Sequence, residues 1–185
     1  MKKAFTFIIA LLGLSTLLVS AQTETKGTII TSANETLEGV IKDQMQKKGN
    51  ILFTGSTGSK KMYSPSDISG FTINGVKYVS YANDFYKEVS TGSKATLFIR
   101  VTDNSGKTIY NGAEPVVLAT AEGKSGDYYL QVKSDSKFNL VNKKNFAAVI
   151  SNVCADCVSV QSDIKSGQLN YTLITKVVEQ YNSCL

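Results

Sequence analysis

The chain has 185 residues, with 20 Lys and Arg against 15 Asp and Glu for a formal net charge of +5, and it contains no His and no Trp. At 42% apolar and 19% charged it is of ordinary globular composition, which excludes collagen-like, low-complexity and disordered chains. The missing His removes Ser-His-Asp triads, Cys-His dyads, His-based metal sites and imidazole proton shuttles together. Arg100 is the single arginine, and the lysines sit in scattered pairs such as Lys47-Lys48, Lys60-Lys61 and Lys143-Lys144, so the guanidinium-rich surface that reads nucleic acid is missing as well.

Residues 1–21 have the pattern of a secretory signal peptide. Lys2 and Lys3 precede an apolar run over 4–19 that only Thr6, Ser15 and Thr16 interrupt, and Val19-Ser20-Ala21 offers small or aliphatic residues at a cleavage site. That run is shorter than the roughly 20 residues a membrane span requires. No Cys lies beside the cleavage point to carry a lipid anchor, and no later segment is apolar enough to span. The expectation is a periplasmic or secreted protein whose mature part, 22–185, is one domain.

The stretch 22–141 reads as β-rich. Residues 26–32 and 36–42 form a hairpin about Asn34, with Leu37 and Ile41 on one face. A polar connection over 45–49 leads to a short strand at 50–54, a Gly/Ser/Thr turn and a further strand at 61–63. Pro65 within Ser64-Pro65-Ser66-Asp67 predicts one helical turn to Ile68. Asn74-Gly75 separates two β-rich runs by two residues that both tolerate positive φ, as a type I′ hairpin demands. Runs at 84–91 and 95–102 pair about Gly92-Ser93; in the second, Leu97, Ile99 and Val101 share one face, and Thr96, Phe98 and Arg100 the other. Strands at 108–110, 115–120 and 128–133 complete this part.

Around Asn142 the apolar period changes from two to 3.6. Phe146, Val149, Ile150 and Val153 make one helical stripe behind an Asn142 cap. Asp156 is placed to cap a second helix, with Cys157, Val160 and Ile164 on one face and Gly167 as its stop. Asn170 caps a third, whose stripe is Ile174, Val177, Val178 and Tyr181. Helices this short are marginal alone and must bury those stripes. The expected fold class is therefore α+β: an antiparallel sheet, barrel-like or sandwich-like, followed by three short helices packed on it over 142–185.

Export places Cys154, Cys157 and Cys184 in a disulfide-permissive compartment. Cys154-Ala-Asp-Cys157 has C-x-x-C spacing but follows a helix rather than a strand, so it lacks the setting of a redox motif. Zinc would need ligands beyond the three thiols. Because Cys157 begins the second helix and Cys184 ends the third, antiparallel packing brings these two together, with Cys154 either free or taking Cys157's place. No metal or cofactor motif occurs, and no Gly-rich phosphate loop. Tyr78, Tyr81 and Tyr86, together with Tyr128 of the Tyr128-Tyr129 pair, are candidate binding aromatics, although strand aromatics more often serve packing. Asp67, Asp84, Glu88, Asp103, Glu114 and Asp127 are spread over turns and strands, and sequence cannot show two of them converging across a cleft.

Several stretches taken together resemble a family. Gly27-Thr-Ile-Ile-Thr with Glu35-Thr-Leu-Glu-Gly-Val-Ile41, the stretch from Tyr63 to Phe71 with Tyr78-Val-Ser80, and the ending that carries Asp156-Cys157, Ile164-Lys-Ser-Gly167 and the run from Val178 to Cys184 are similar to small, uncharacterised exported proteins of Bacteroidetes. The resemblance implies an envelope or secreted location and a non-catalytic character, and it favours Cys157 with Cys184. The expected role is a non-enzymatic binding or structural protein of the cell envelope, whose partner is an envelope protein or glycan. The alternative is a carboxylate- or Tyr-dependent hydrolase of envelope polymers.

Overall fold

The structure, a computed structural model, describes residues 24–184, so the expected signal segment lies outside the described residues. Eight strands follow almost without interruption: β1 (Glu24–Thr31), β2 (Thr36–Gln44), β3 (Asn50–Gly55), β4 (Lys60–Tyr63), β5 (Ile68–Ile73), β6 (Val76–Tyr81), β7 (Asp84–Thr91) and β8 (Ala95–Arg100). A one-turn helix, α1 (Met45–Lys48), joins β2 to β3. After β8 come the hairpin β9 (Thr108–Asn111) and β10 (Glu114–Val117), then β11 (Tyr128–Val132) and β12 (Phe138–Val141). The chain ends with α2 (Phe146–Val153), α3 (Val158–Lys165), a 3-10 turn (Tyr171–Leu173) and α4 (Ile174–Ser183).

Ten strands make one antiparallel sheet in the order β12-β11-β8-β7-β6-β5-β1-β2-β3-β4, while β9 and β10 pair only with each other. The sheet is strongly curled. Five strand steps separate β8 from β2, which would be about 24 Å in a flat sheet. Yet Gln46 of α1 donates from Nε2 to the Val101 carbonyl just beyond β8, at 3.2 Å. The curl wraps an inner face on which register places Ile29 opposite Phe71 and Ile41 opposite Phe53; all four are buried, with Phe85 and Ile51 beside them.

The same face continues under the helices. Ala95 and Leu97 of β8, Leu130 of β11 and Val141 of β12 meet Ile150 of α2, Val160 of α3 and the α4 stripe of Ile174, Val177, Val178 and Tyr181. Each such buried aliphatic side chain contributes roughly 1.5–3 kcal/mol. Asn182 docks α4 on the β7–β8 turn: its Oδ1 accepts from the backbone N–H groups of Lys94 and Ala95, and its Nδ2 donates to the Ala95 carbonyl. Gly92 is required in that turn because a Cβ would collide with the Asn182 side chain. The outer face carries a second aromatic core of Tyr86, Phe98, Tyr129 and Phe138. Strand β8 is thus buried on both faces, which is why its residues read apolar on one side and mixed on the other.

The α+β architecture and the three terminal helices agree with the sequence reading. The Asn74-Gly75 hairpin does too, with φ of 51° and 75° at its two turn residues. Cys157 and Cys184 sit at disulfide distance, their Cα atoms 5.9 Å apart, and Cys154 is a buried free thiol. Several local expectations are corrected. The helical turn after Pro65 is instead a β-turn, in which Asp67 accepts from the Ser64 backbone N–H and hydroxyl and releases the chain directly into β5. The polar connection at 45–49 is a helical turn that buries Met45. Asp156 does not cap α3; it pairs sideways with Lys94 at 3.0 Å and leaves Cys157 at the cap position. Strand β12 had no strong β-composition to announce it, and β9–β10 stands apart from the sheet that its composition suggested it would join.

Candidate functional site

The two charged residues that close the outer-face core are Arg100 at the end of β8 and Asp84 at the start of β7. Arg100 Nη2 lies 2.6 Å from Asp84 Oδ2, and both side chains are fully buried. Arg100 Nε donates to the Thr102 carbonyl, Nη1 donates to the carbonyls of Ala121 and Gly123, and Nη2 also reaches Asp103 Oδ1 and the Thr120 hydroxyl. A guanidinium has five N–H donors, and the hydrogen bonds to Thr102, Ala121, Gly123, Asp103 and Thr120 use all of them, so Asp84 Oδ2 meets Arg100 as a charge contact without a hydrogen bond. Asp84 Oδ1 accepts from the Thr102 hydroxyl at 2.7 Å and from the Asn104 N–H at 3.0 Å. Burial pushes the Asp84 carboxyl up from its ordinary range, while the Thr102 hydroxyl, Arg100 and the Asn104 amide oppose that shift. Asp103 is held low by the Ser105 hydroxyl and N–H and by Arg100.

The partners of this ion pair are the two stems of the β9–β10 hairpin. Residues 101–107 enter the hairpin and 118–127 leave it. Asp84 and Arg100 grip the first stem at Thr102, Asp103 and Asn104, and Arg100 grips the second at Thr120, Ala121 and Gly123. Two backbone bonds close the base, Leu118 N–H to the Lys107 carbonyl at 2.8 Å and Gly106 N–H to the Leu118 carbonyl at 3.3 Å. The Asn83 side chain adds a bond to the Ala119 carbonyl at 2.8 Å. A buried charge pair costs desolvation, and here that cost is offset by the bonds that Arg100 and Asp84 Oδ1 make to both stems.

Beyond the clamp the hairpin is apolar and exposed. Tyr110 is 74% exposed and Val117 64%, with Ile109 and Val116 both above 40%. Register sets Ile109 opposite Val116 and Tyr110 opposite Pro115, so both faces of the ribbon carry apolar groups. Such clustering on one small element sets the hairpin apart from the single exposed aliphatics found elsewhere, which are ordinary. Below the hairpin, Ile109 and Leu118 wall a pocket of about 210 Å³ against α1 and the Ser64-Pro65-Ser66 turn.

The structure divides the candidate tyrosines between faces. Tyr78 stacks on Phe71 at 4.6 Å toward the inner core, and Tyr128 meets Tyr171 edge-on at 6.0 Å beside the helices. On the outer face Tyr86 is wholly buried, its hydroxyl without a hydrogen-bond partner among the described residues, and burial pushes its pKa up. Tyr81 stacks on Phe138 at 4.3 Å and lines a cavity of about 390 Å³ with Glu122, Lys137 and Asn139. Only Tyr81 and Tyr86 are brought together, and they do not form one platform with the other two. Of the six carboxylates, Asp84 and Asp103 converge on Arg100, Asp67 bonds Ser64, Asp127 accepts from the Lys124 N–H, Glu88 lies 3.8 Å from Lys77 and Glu114 stands on the hairpin. Among the described residues no three of Cys, Asp and Glu gather as metal ligands.

The clamp itself was not legible in the sequence. Its only signal was a lone arginine on a strand face otherwise holding Thr96 and Phe98, a position where a charge must find a partner. The chain matches no protein-family model, no curated protein and no solved structure.

Proposed function

We propose that this is an exported cell-envelope protein that works by binding, with the clamped β9–β10 hairpin as its contact element and an envelope protein with an apolar surface as its partner. The supporting observation is the placement of four exposed apolar side chains on a ribbon whose two stems are gripped by the buried Arg100–Asp84 pair. A rigid, preoriented ribbon loses little entropy on docking, and aliphatic and aromatic groups of this kind populate the cores of protein interfaces. Ile109, Val116 and Val117 suit a protein surface better than a hydroxyl-rich glycan. The hydrolase reading finds less support: Asp84 and Asp103, the carboxylates that converge, both face a guanidinium whose donors are already spent.

Export is tested by N-terminal sequencing of the protein recovered from its native host, where a start after Ala21 is expected. Binding is tested by photo-crosslinking from position 110 in the intact envelope, with position 158 on α3, which is 81% exposed, as the comparison. A discrete adduct from position 110 that disappears with Val117→Lys supports the assignment. Equal adducts from both positions, or persistence in Val117→Lys, refutes it.

A further inference from the structure

The pocket under the hairpin has a chemistry of its own. Its charged lining residues are Lys48 at the end of α1 and Lys107 at the hairpin base, with no carboxylate among them. The nearest acid of the facing turn, Asp67, is occupied by Ser64. Lys107 is held in place before any ligand arrives: its ammonium donates to Asn104 Oδ1 at 2.6 Å and to the Lys48 carbonyl at 3.3 Å, leaving one of three donors unspent. Asn104 is 4% exposed and is fixed in turn by bonds from Nδ2 to the carbonyls of Asn83 and Gly49. Gly49, at φ 71°, has no Cβ because one would strike that Asn104 amide.

A second feature points to a ligand. Asn50 Oδ1 is buried without a hydrogen-bond partner among the described residues, and its Nδ2 meets only the weakly accepting Met62 sulfur at 3.8 Å. Asn50 is half-buried and lines the pocket, and shielded polar atoms are normally satisfied, so its idle Oδ1 is bonding capacity left for a polar guest. Ser66 and Thr108 add hydroxyls, while Ile109 and Leu118 supply an apolar wall. A volume of about 210 Å³ lies below the roughly 300–1,000 Å³ of drug-sized ligand sites and suits one ring. A bare phosphate would leave the apolar wall unused, and a neutral sugar would leave two lysine charges without a counter-charge in the lining.

We propose that this pocket binds one acidic monosaccharide unit, with its carboxylate toward Lys48 and Lys107, its hydroxyls toward Asn50, Ser66 and Thr108, and its C–H face on Ile109 and Leu118. The site shares Ile109 with the hairpin's contact surface, but Tyr110 and Val117 take no part in it, so their replacement leaves the pocket intact. The test is calorimetric titration of the full mature chain at low salt with D-glucuronate, D-glucose and inorganic phosphate. Saturable glucuronate binding at one site, at least about tenfold tighter than either comparison compound, is expected. It should weaken by about tenfold in Lys48→Gln and in Asn50→Ala and stay unchanged in Tyr110→Ser. No saturable glucuronate binding overturns the proposal. So does phosphate binding equally well, which would mean a plain anion site, or glucose binding equally well, which would mean a neutral one. Full glucuronate affinity in a Lys48→Gln chain that melts like the parent overturns it too.

Discussion

Replacing Asp84 by Ala removes the anion from the clamp and leaves three groups facing an empty space. Arg100 loses its 2.6 Å partner, and the Thr102 hydroxyl and the Asn104 N–H lose their acceptor. Breaking a buried pair from one side costs about 3–5 kcal/mol, and an orphaned buried amide costs about 1–3 kcal/mol. Asp103 and three backbone carbonyls still hold the guanidinium, so the lower part of the combined range applies, about 4 kcal/mol from a total of about 5–15 kcal/mol. Asp84→Asn keeps an acceptor for Asn104 but not the charge, and should cost about 2 kcal/mol. Urea unfolding at neutral pH reads the global loss. Hydrogen exchange reads where it falls: the amides of Gly106 and Leu118, which bond across the hairpin base, and of Lys107, which bonds the Asn104 carbonyl in the first stem, should lose protection in Asp84→Ala before those of the inner core do. A cost of less than about 1 kcal/mol for Asp84→Ala, or a loss of stability while those three amides keep their protection, would refute the clamp.

Three further outcomes are expected. Gly39→Ala should destabilise by about 1–3 kcal/mol in urea melts, because a Cβ there would sit 2.6 Å from the Phe53 ring and against the Thr54 carbonyl, in a row where Gly27, Gly39 and Gly55 align across β1, β2 and β3. Reduction, or Cys184→Ser, should cost about 3–4 kcal/mol on the chain-entropy account for a separation of 27 residues, visible as a drop in Tm; an unchanged Tm would count against the pairing. Burial, reinforced by Asp156, pushes the Cys154 thiol from 9.0 to about 12, so the folded state prefers the neutral thiol. Its contribution to stability is therefore complete below pH 9.0 and is lost as pH rises toward about 12, and in the native protein iodoacetamide should label Cys154 only at the rate of unfolding.

The elements the sequence announced correctly are those whose signal is local. Asn74-Gly75 specifies its turn by backbone conformation alone, and Asn170 caps its 3-10 turn with a bond from the Thr172 N–H, as expected. The α4 stripe of Ile174, Val177, Val178 and Tyr181 can face only one way. The corrected elements are those where a distant group outbid a local preference. Asp156 is a good N-cap residue in isolation, but Lys94, 62 positions away, takes its carboxylate. Met45 looked like part of a polar link until the curl of the sheet supplied an apolar wall to bury it. The aromatic residues near Tyr78 and Tyr86 could not be sorted by face from composition, because strand alternation sends neighbours in the chain to opposite sides of one sheet.

The amino-acid order by itself determined the α+β class and the three terminal helices, because apolar period acts over a few residues, and it pointed Cys157 toward Cys184 while leaving Cys154 open as the alternative, which the tertiary structure decided. Only the tertiary structure decided that the sheet curls far enough to bring α1 against the end of β8. That curl puts Lys48, Asn50 and Lys107 around one pocket, and the partners around Arg100 make it the clamp of a hairpin. Those decisions depend on contacts spanning about 20 to 60 residues, as with Asn104 and Gly49, 55 apart, and no local pattern encodes which distant strand a buried charge or amide will meet.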